Sequence, residues 1–289
     1  MILPETPGVY CDVNIGTFVA EDLEFDQGLA QEIMRSRGVS DAAISELTFN
    51  FAYHNPEPTD VKKPDLVTHG SYVHPSRLVN TYLESYYRIA TRVSDKALSG
   101  IVQEFADEQS VSPEELLEGS FALVMDEEKT RIVNNIVNRQ ANSALLHEID
   151  HVVEFNTLEE NEVIKRHIAY RERLWTAQQN KIGALLLVAF ACLVAPEVES
   201  YENVPPHIIG KALIPELLVA GGSVFIATRM QRRRPYDPMT HKEYLQSPWE
   251  VEARRFAAES IEEVGPDFYN SKFPLRIACK PQRFQFVTQ

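Results

Sequence analysis

The chain has 289 residues, a formal net charge of −14 and a pI near 5.1. That length can bury a substantial core without staples, and so acidic a balance excludes a nucleic-acid surface, which needs clustered Lys and Arg to displace counterions from phosphate. The three cysteines, Cys11, Cys192 and Cys279, are odd in number and lack CxxC spacing, which points to a reducing compartment and away from a thiolate metal site. The opening Met-Ile-Leu-Pro-Glu-Thr-Pro-Gly has neither the basic nor the apolar segment of a secretory signal, so the N-terminus is expected to stay in the cytosol.

In chain order, Val9 to Val13 reads as a strand, Asp26 to Arg37 as a short helix, and the alternating run Leu47 to Tyr53 as a second strand. Asn55 to Pro64 carries three prolines and reads as a loop. Gly70-Ser-Tyr-Val-His74 is expected to be extended, and an aromatic helix follows through Tyr82, Tyr86 and Tyr87 towards Phe105, its tyrosines serving packing. Ser112-Pro-Glu-Glu115 is a capping box. Phe121 to Met125 reads as a short buried strand, and from Glu127 a long helix begins, with Val133, Val137, Ala141, Ala144 and Leu145 recurring at three and four. A second helical segment is expected from Leu158 to about Asn180.

The long helix carries His147-Glu148-x-x-His151 at its centre. Two histidines at i and i+4 stand about 40° apart around a helix, so both imidazoles can reach one ion. Glu148, about 100° from His147, can reach a metal-activated water without displacing it, as a general base does in zinc-dependent hydrolysis. A catalytic zinc takes three protein ligands and an open position. The third is sought in Ser247-Pro-Trp-Glu250-Val-Glu252-Ala253, which opens a helix in which Glu250 is equally placed as the fourth residue of a capping box.

Between the two motifs, Ile182 to Ala195 is an uninterrupted apolar run of fourteen residues, shorter than the about 20 a membrane-spanning helix needs. The second run, Ile208 to Thr228, contains Lys211 and Glu216. Lys165, Arg166, Arg171, Arg173 and Lys181 precede the first run, Arg229 and Arg232 to Arg234 follow the second, and Glu197 to Asn203 between them is acidic, as expected of a membrane hairpin with both ends in the cytosol.

His147-Glu148-x-x-His151, followed about one hundred residues later by Glu250-x-Glu252-Ala253-x-x-Phe256-Ala257, resembles the gluzincin pattern. With the intervening hairpin it is similar to the membrane zinc metallopeptidases of the CAAX-prenyl-protease and bacterial heat-shock-protease type, and Pro-x-Glu-x-Glu-Ala to the minigluzincins. The resemblance covers residues of roughly 130 to 155 and 245 to 260, and it selects Glu250 over Glu252 as the ligand. It departs at Arg254, where those membrane families carry an acid, and at Asp150, where they commonly carry glycine. His-Glu-Ile-Asp-His is also the spelling of peptide deformylases, with Glu118-Gly119-Ser120 echoing their Glu-Gly-Cys segment, but serine there replaces the sulfur ligand.

The expectation is thus an α+β, predominantly helical zincin-like metallopeptidase. Residues 1–125 would be an N-terminal α+β region, and residues 126–289 a catalytic region with an apolar helical hairpin, 182–228, inserted. Zn²⁺ would be held by His147, His151 and Glu250, with Glu148 as base and a protein or peptide as substrate. The enzyme would sit at the cell membrane with a cytoplasmic active site, or otherwise in the cytoplasm. His167, Tyr170, His241 and Tyr244 flank the motifs as candidates to steady an oxyanion, and Gly70 to Val73 is a candidate edge strand for aligning substrate. A catalytically inactive, membrane-associated scaffold is the alternative.

Overall fold

In the computed structural model, which describes residues 8–12, 20–53, 70–198, 218–227, 239–262, 268 and 271–288, the chain divides into two units. The first comprises Met1–Glu159 with Pro248–Gln289 and the second Glu160–Ser247. The first unit runs β1 (Val9–Asp12), β2 (Ala20–Phe25), α1 (Gln27–Ser36), α2 (Asp41–Ser45), β3 (Thr48–Ala52), β4 (Gly70–Val73), β5 (Leu78–Tyr82), α3 (Glu84–Gln109), α4 (Pro113–Leu116) and α5 (Ser120–Thr157). The second holds α6 (Glu160–Val198), the helical residues 218–227 (α7) and α8 (His241–Leu245). The chain then returns to the first unit with α9 (Pro248–Glu262) and β6 (Leu275–Cys279). The described chain is predominantly helical with a small sheet, the α+β organisation expected. Residues 125 and 126, the expected division, both lie within α5 in the first unit.

Four strands form one sheet in the order β1-β3-β5-β4. β1, β3 and β5 are parallel, while β4 runs antiparallel to β5 at the edge, with Gly70 opposite Thr81 and Val73 opposite Leu78. The apolar positions of β3 and β5, among them Phe49, Phe51 and Val79, are buried against α5, whose Val133, Val137, Ala141, Leu145, Ile149 and Val152 are fully enclosed. That three-and-four spacing is what keeps one face of a helix on a core over many turns. α3 and α9 pack on α5 as well. Tyr82, expected in the aromatic helix, instead closes β5, and the helix begins only at Glu84; Tyr82 and Tyr86 are nevertheless both core residues, the packing role expected of them.

A second face of α5 is buried although it is polar. Asp126, Thr130, Asn134, Asn138 and Asn142 recur every four residues and receive the backbone of β6 and the tail after it. Asn142 accepts from Leu275 N–H (3.0 Å) and donates to the Leu275 carbonyl (2.7 Å), and Asn138 does both for Ile277 (2.7 and 2.7 Å). Asn134 accepts from Cys279 N–H (2.7 Å), Thr130 from Gln282 N–H (3.1 Å) and Asp126 from Phe284 N–H (2.6 Å). Four residues of helix rise about 6 Å and two residues of strand about 6.7 Å, so the two repeats keep step. The other edge of β6 pairs with β2, Leu275 opposite Phe25. One strand is thereby satisfied by a strand on one side and a helix on the other.

Two expectations are corrected. Phe121 to Met125 is not a strand but belongs to the start of α5, with Leu123 and Val124 exposed and Met125 buried. Five apolar residues carry no period that separates strand from helix. The helix expected to end near Asn180 continues as α6 to Val198, since no breaker lies between it and the apolar run. The expected loop Asn55 to Pro64 lies outside the described residues, as do most of the acidic connection and residues 208–217 of the second apolar run. Among the described residues no helix is long and apolar enough to cross a membrane.

Candidate metal centre

α5 contributes His147 and His151 from adjacent turns, and α9, packed across it, contributes Glu250 from its first turn. His151 and Glu250 are buried and His147 nearly so. The possible ligand atoms of the three residues all lie within 4.8 Å of one another. His147 Nε2 is 3.2 Å from His151 Nε2 and 3.3 Å from Glu250 Oε2, and His151 Nε2 is 3.3 Å from Glu250 Oε1. Ligands about 2.0–2.1 Å from a tetrahedral ion stand about 3.3 Å apart, whereas a charged hydrogen bond would draw N and O to about 2.7–2.9 Å. The spacing fits three donors sharing an ion better than it fits ion pairs alone. This group can bind a metal ion.

The competing role for Glu250 is not taken up: the Ser247 hydroxyl, which would anchor a capping box, is buried without a hydrogen-bond partner, and the Glu250 carboxylate turns to the imidazoles instead. Arg254 is exposed on α9. Asp150, where the membrane families it was compared with commonly carry glycine, is buried and ion-paired with Arg37 at 2.5 Å, a structural role for the acid.

Glu148 stands between α5 and the sheet edge, almost wholly buried. Burial pushes its carboxyl above the usual range. The His151 and His147 rings and the Tyr72 backbone N–H, which donates to it, hold the rise back, and the charge on Glu250 adds to it. Gly70 explains the close approach of β4: a Cβ there would lie 2.9 Å from both Cγ and Oε1 of Glu148 and 3.1 Å from the Asn80 carbonyl. For His151, burial pulls the pKa down. The hydrogen bond to Glu250 and the charges of Glu148, Glu250 and Glu154 outweigh it, so the net shift is upward. Tyr86, from α3, has its phenol pKa pushed up by burial and by the charge on Glu148.

Beside the centre, Phe155 follows His151 by one turn and stacks on His74 with centroids 4.8 Å apart, while the Tyr72 hydroxyl meets His74 Nδ1 at 3.1 Å. The roles of Gly70 and Tyr72 escape sequence reading because they depend on strand pairing, and that of Tyr86 because it depends on how α3 packs on α5. The extended reading of Gly70 to Val73 and the helical aromatic positions were the only signals. The four residues proposed to flank the site lie in the second unit, where Tyr170 donates its hydroxyl to the Glu243 carbonyl at 2.9 Å. Ser120 begins the helix that carries His147 27 residues on, about 40 Å along its axis, so Glu118-Gly119-Ser120 contributes nothing to this centre. The sequence matches the model of no protein family, and neither the curated proteins nor the solved structures contain a significant match to the chain.

Proposed function

We propose that the chain is a zinc-dependent metallopeptidase of the glutamate-zincin type, with His147, His151 and Glu250 as zinc ligands and Glu148 as general base. The observation that carries this is the gathering of three donor residues from two helices about one hundred residues apart in sequence, with the imidazole nitrogens 3.2 Å apart and each 3.3 Å from one of the two Glu250 carboxylate oxygens. Nitrogen and carboxylate donors in this number suit zinc with a position left open. Zinc bound there supplies Lewis acidity, polarising a carbonyl and acidifying water to a pKa of about 7. Glu148 takes the proton of the attacking water and returns it to the leaving amine. A carboxyl whose pKa is raised by burial is suited to both transfers near neutral pH. An extended peptide can add to the edge strand β4 by main-chain pairing, and that strand directs the Tyr72 N–H at the base, so the scissile bond would lie beside Glu148.

Attachment to a membrane through residues 182–228 is supported by the second unit. There the small Ala189, Ala220, Ser223 and Ala227 are buried, while Leu186, Leu187, Val188, Val224, Phe225 and Ile226 are exposed. Small residues inward and large aliphatics outward is the arrangement of helices packed in lipid. The basic flanks in the sequence support a cytoplasmic side for the catalytic region.

Zinc content and peptide cleavage test the reading together. Glu250→Ala is expected to lose the stoichiometric zinc of the wild type. Glu148→Gln should keep it while peptide turnover falls by about a hundredfold or more. Zinc retained in Glu250→Ala removes the ligand assignment. A zinc-loaded wild type that cleaves no peptide, or cleaves it no faster than Glu148→Gln, returns the chain to the non-catalytic scaffold.

A further inference from the structure

The sequence of α3 repeats every four residues, so its side chains fall into four rows along the helix. The row from Tyr86 through Ala90 and Leu98 to Ala106 is buried in the core. In the next row Asp95 and Ser99 accept from the backbone of the tail, from Gln285 N–H at 3.4 Å and Val287 N–H at 2.9 Å. The other two rows face outward. One is apolar: Ile89, Val93, Ala97, Ile101 and Phe105, all exposed, the four large members by 42% to 51%. Beside it runs a charged row divided by sign, with Arg88, Arg92 and Lys96, then Gly100, then Glu104 and Glu108.

Neither row suits a helix that meets only water. Large aliphatics exposed in a continuous line, rather than scattered singly, mark an interaction surface. Like charges four residues apart repel, and the halves are reversed against the helix dipole, which disfavours an acid such as Glu108 in the last turn. Arg88 is ion-paired with Glu84, whereas Arg92, Lys96, Glu104 and Glu108 form no ion pair among the described residues. Gly100 is an unfavourable residue inside a helix, and beyond its chain neighbours a Cβ there would meet no side chain of the described residues within 4 Å.

We propose that α3 pairs antiparallel with α3 of a second copy of this chain, across a two-fold axis beside Ala97. Both rows have the symmetry this needs. The apolar row is centred on Ala97, so Val93 lies towards Ile101 of the second copy and Ile89 towards Phe105. The charged row is centred one residue on, so Arg92 lies towards Glu104 of the second copy and Arg88 towards Glu108. An antiparallel two-fold keeps the charged rows on one flank, where opposite signs meet; a parallel pair would part them to opposite flanks. A four-residue row drifts about 40° per step, so the helices cross at an angle, as ridges four residues apart do in the commonest helix packing. The small Ala97 and Gly100 stand at that crossing, where the backbones approach closest. The apolar surface continues past the row, because Phe121 at the start of α5 meets the Phe105 ring edge-on, with centroids 6.2 Å apart.

Cross-linking of the full chain with a short bismaleimide in mild detergent tests this, with wild-type Cys11, Cys192 and Cys279 setting the background. Ala97→Cys is expected to give a covalent dimer above that background, because the residue at the axis meets itself. Ile89→Cys should not, since an antiparallel pair holds its two copies about 24 Å apart along the helices. Over a dilution series in the Ala97→Cys chain, Arg92→Glu and Glu104→Arg should each raise the dimer's dissociation constant about tenfold, and the two together should return it to within about threefold. Residues 92 and 104 stand about 18 Å apart along one helix, so that recovery can arise only between copies. Four results would each overturn the pairing. Ala97→Cys no more cross-linked than wild type would give the row to a different protein or to another segment of the chain. Ile89→Cys as reactive as Ala97→Cys would exclude the antiparallel register. Single reversals without effect, or a double reversal no better than either, would remove the charge complementarity.

Discussion

Gly70 is the residue on which the geometry of the proposed base depends. With no side chain it allows β4 to approach within reach of Glu148, and a Cβ would need space that Cγ and Oε1 of Glu148 occupy at 2.9 Å. One of three atoms must move, and the carboxylate is the softest, since the Asn80 carbonyl belongs to the sheet. Gly70→Ala is therefore expected to bind zinc stoichiometrically yet lose peptide turnover by about tenfold to a hundredfold, because proton transfer fails with small misplacements. Loss of zinc in parallel would mean that the strand supports the ligands rather than the base. His151 gives a second test at this scale. Its folded pKa is raised, so in metal-free protein the stability it contributes is fully present below the unfolded value of about 6.5 and is lost as pH rises through the higher folded value. A metal needs the neutral ring, so affinity moves the other way and grows with pH across that window. Chelator competition should show tighter zinc at pH 8 than at pH 6. The melting temperature of EDTA-treated wild type relative to His151→Gln should fall over the same interval, and a rise there would contradict the His151–Glu250 pairing.

At the scale of elements, the legible parts are those with a period or a cap. The histidine helix, the helix of Glu250, the Ser112 capping box and the strands over Leu47 to Tyr53 and Gly70 to Val73 each carry a local signature, and each is found. β6 carries none that counts. Leu275-Arg-Ile-Ala-Cys279 is short, and half of what holds it is the row Asn134, Asn138, Asn142, which along a sequence reads as the solvated face of a helix. A polar stripe is indistinguishable from a wet one until its partner backbone is known, and that backbone lies more than one hundred residues away. The energetic consequence is large. Asn138→Ala strands both the N–H and the carbonyl of Ile277 in a buried place and is expected to cost roughly 2–6 kcal/mol, from about 1–3 kcal/mol for each of the two unsatisfied groups. Urea unfolding checks this through a lower midpoint at unchanged m-value, with zinc stoichiometry intact because Asn138 lies more than two turns from His147. A loss below about 0.5 kcal/mol would show that water replaces the asparagine.

At the scale of the whole molecule the chain has two units, and the first contains, among the described residues, every residue of the candidate metal centre: the sheet edge, both helices and Glu148, the proposed base. The second has the opposite character, with small residues buried and large aliphatics exposed on α6 and α7. Sequence could read the apolar runs but not their orientation, because composition alone does not tell which side of a uniformly apolar helix faces outward. Leu187 is 70% exposed and Phe225 66%, values that an ordinary water-facing surface does not pair with so many neighbouring aliphatics. If lipid covers them, cations at both positions should weaken attachment without disturbing the buried Ala189, Ala220 and Ala227. Leu187→Lys with Phe225→Lys is thus expected to shift the protein from the pelleted to the supernatant fraction in vesicle co-sedimentation, since a cation at the centre of a membrane helix costs about 2.5–3.5 kcal/mol each. Zinc content should remain that of wild type, because the ligands belong to the other unit. Wild type that does not pellet with vesicles and stays monodisperse without detergent would assign these aliphatics to a protein partner instead.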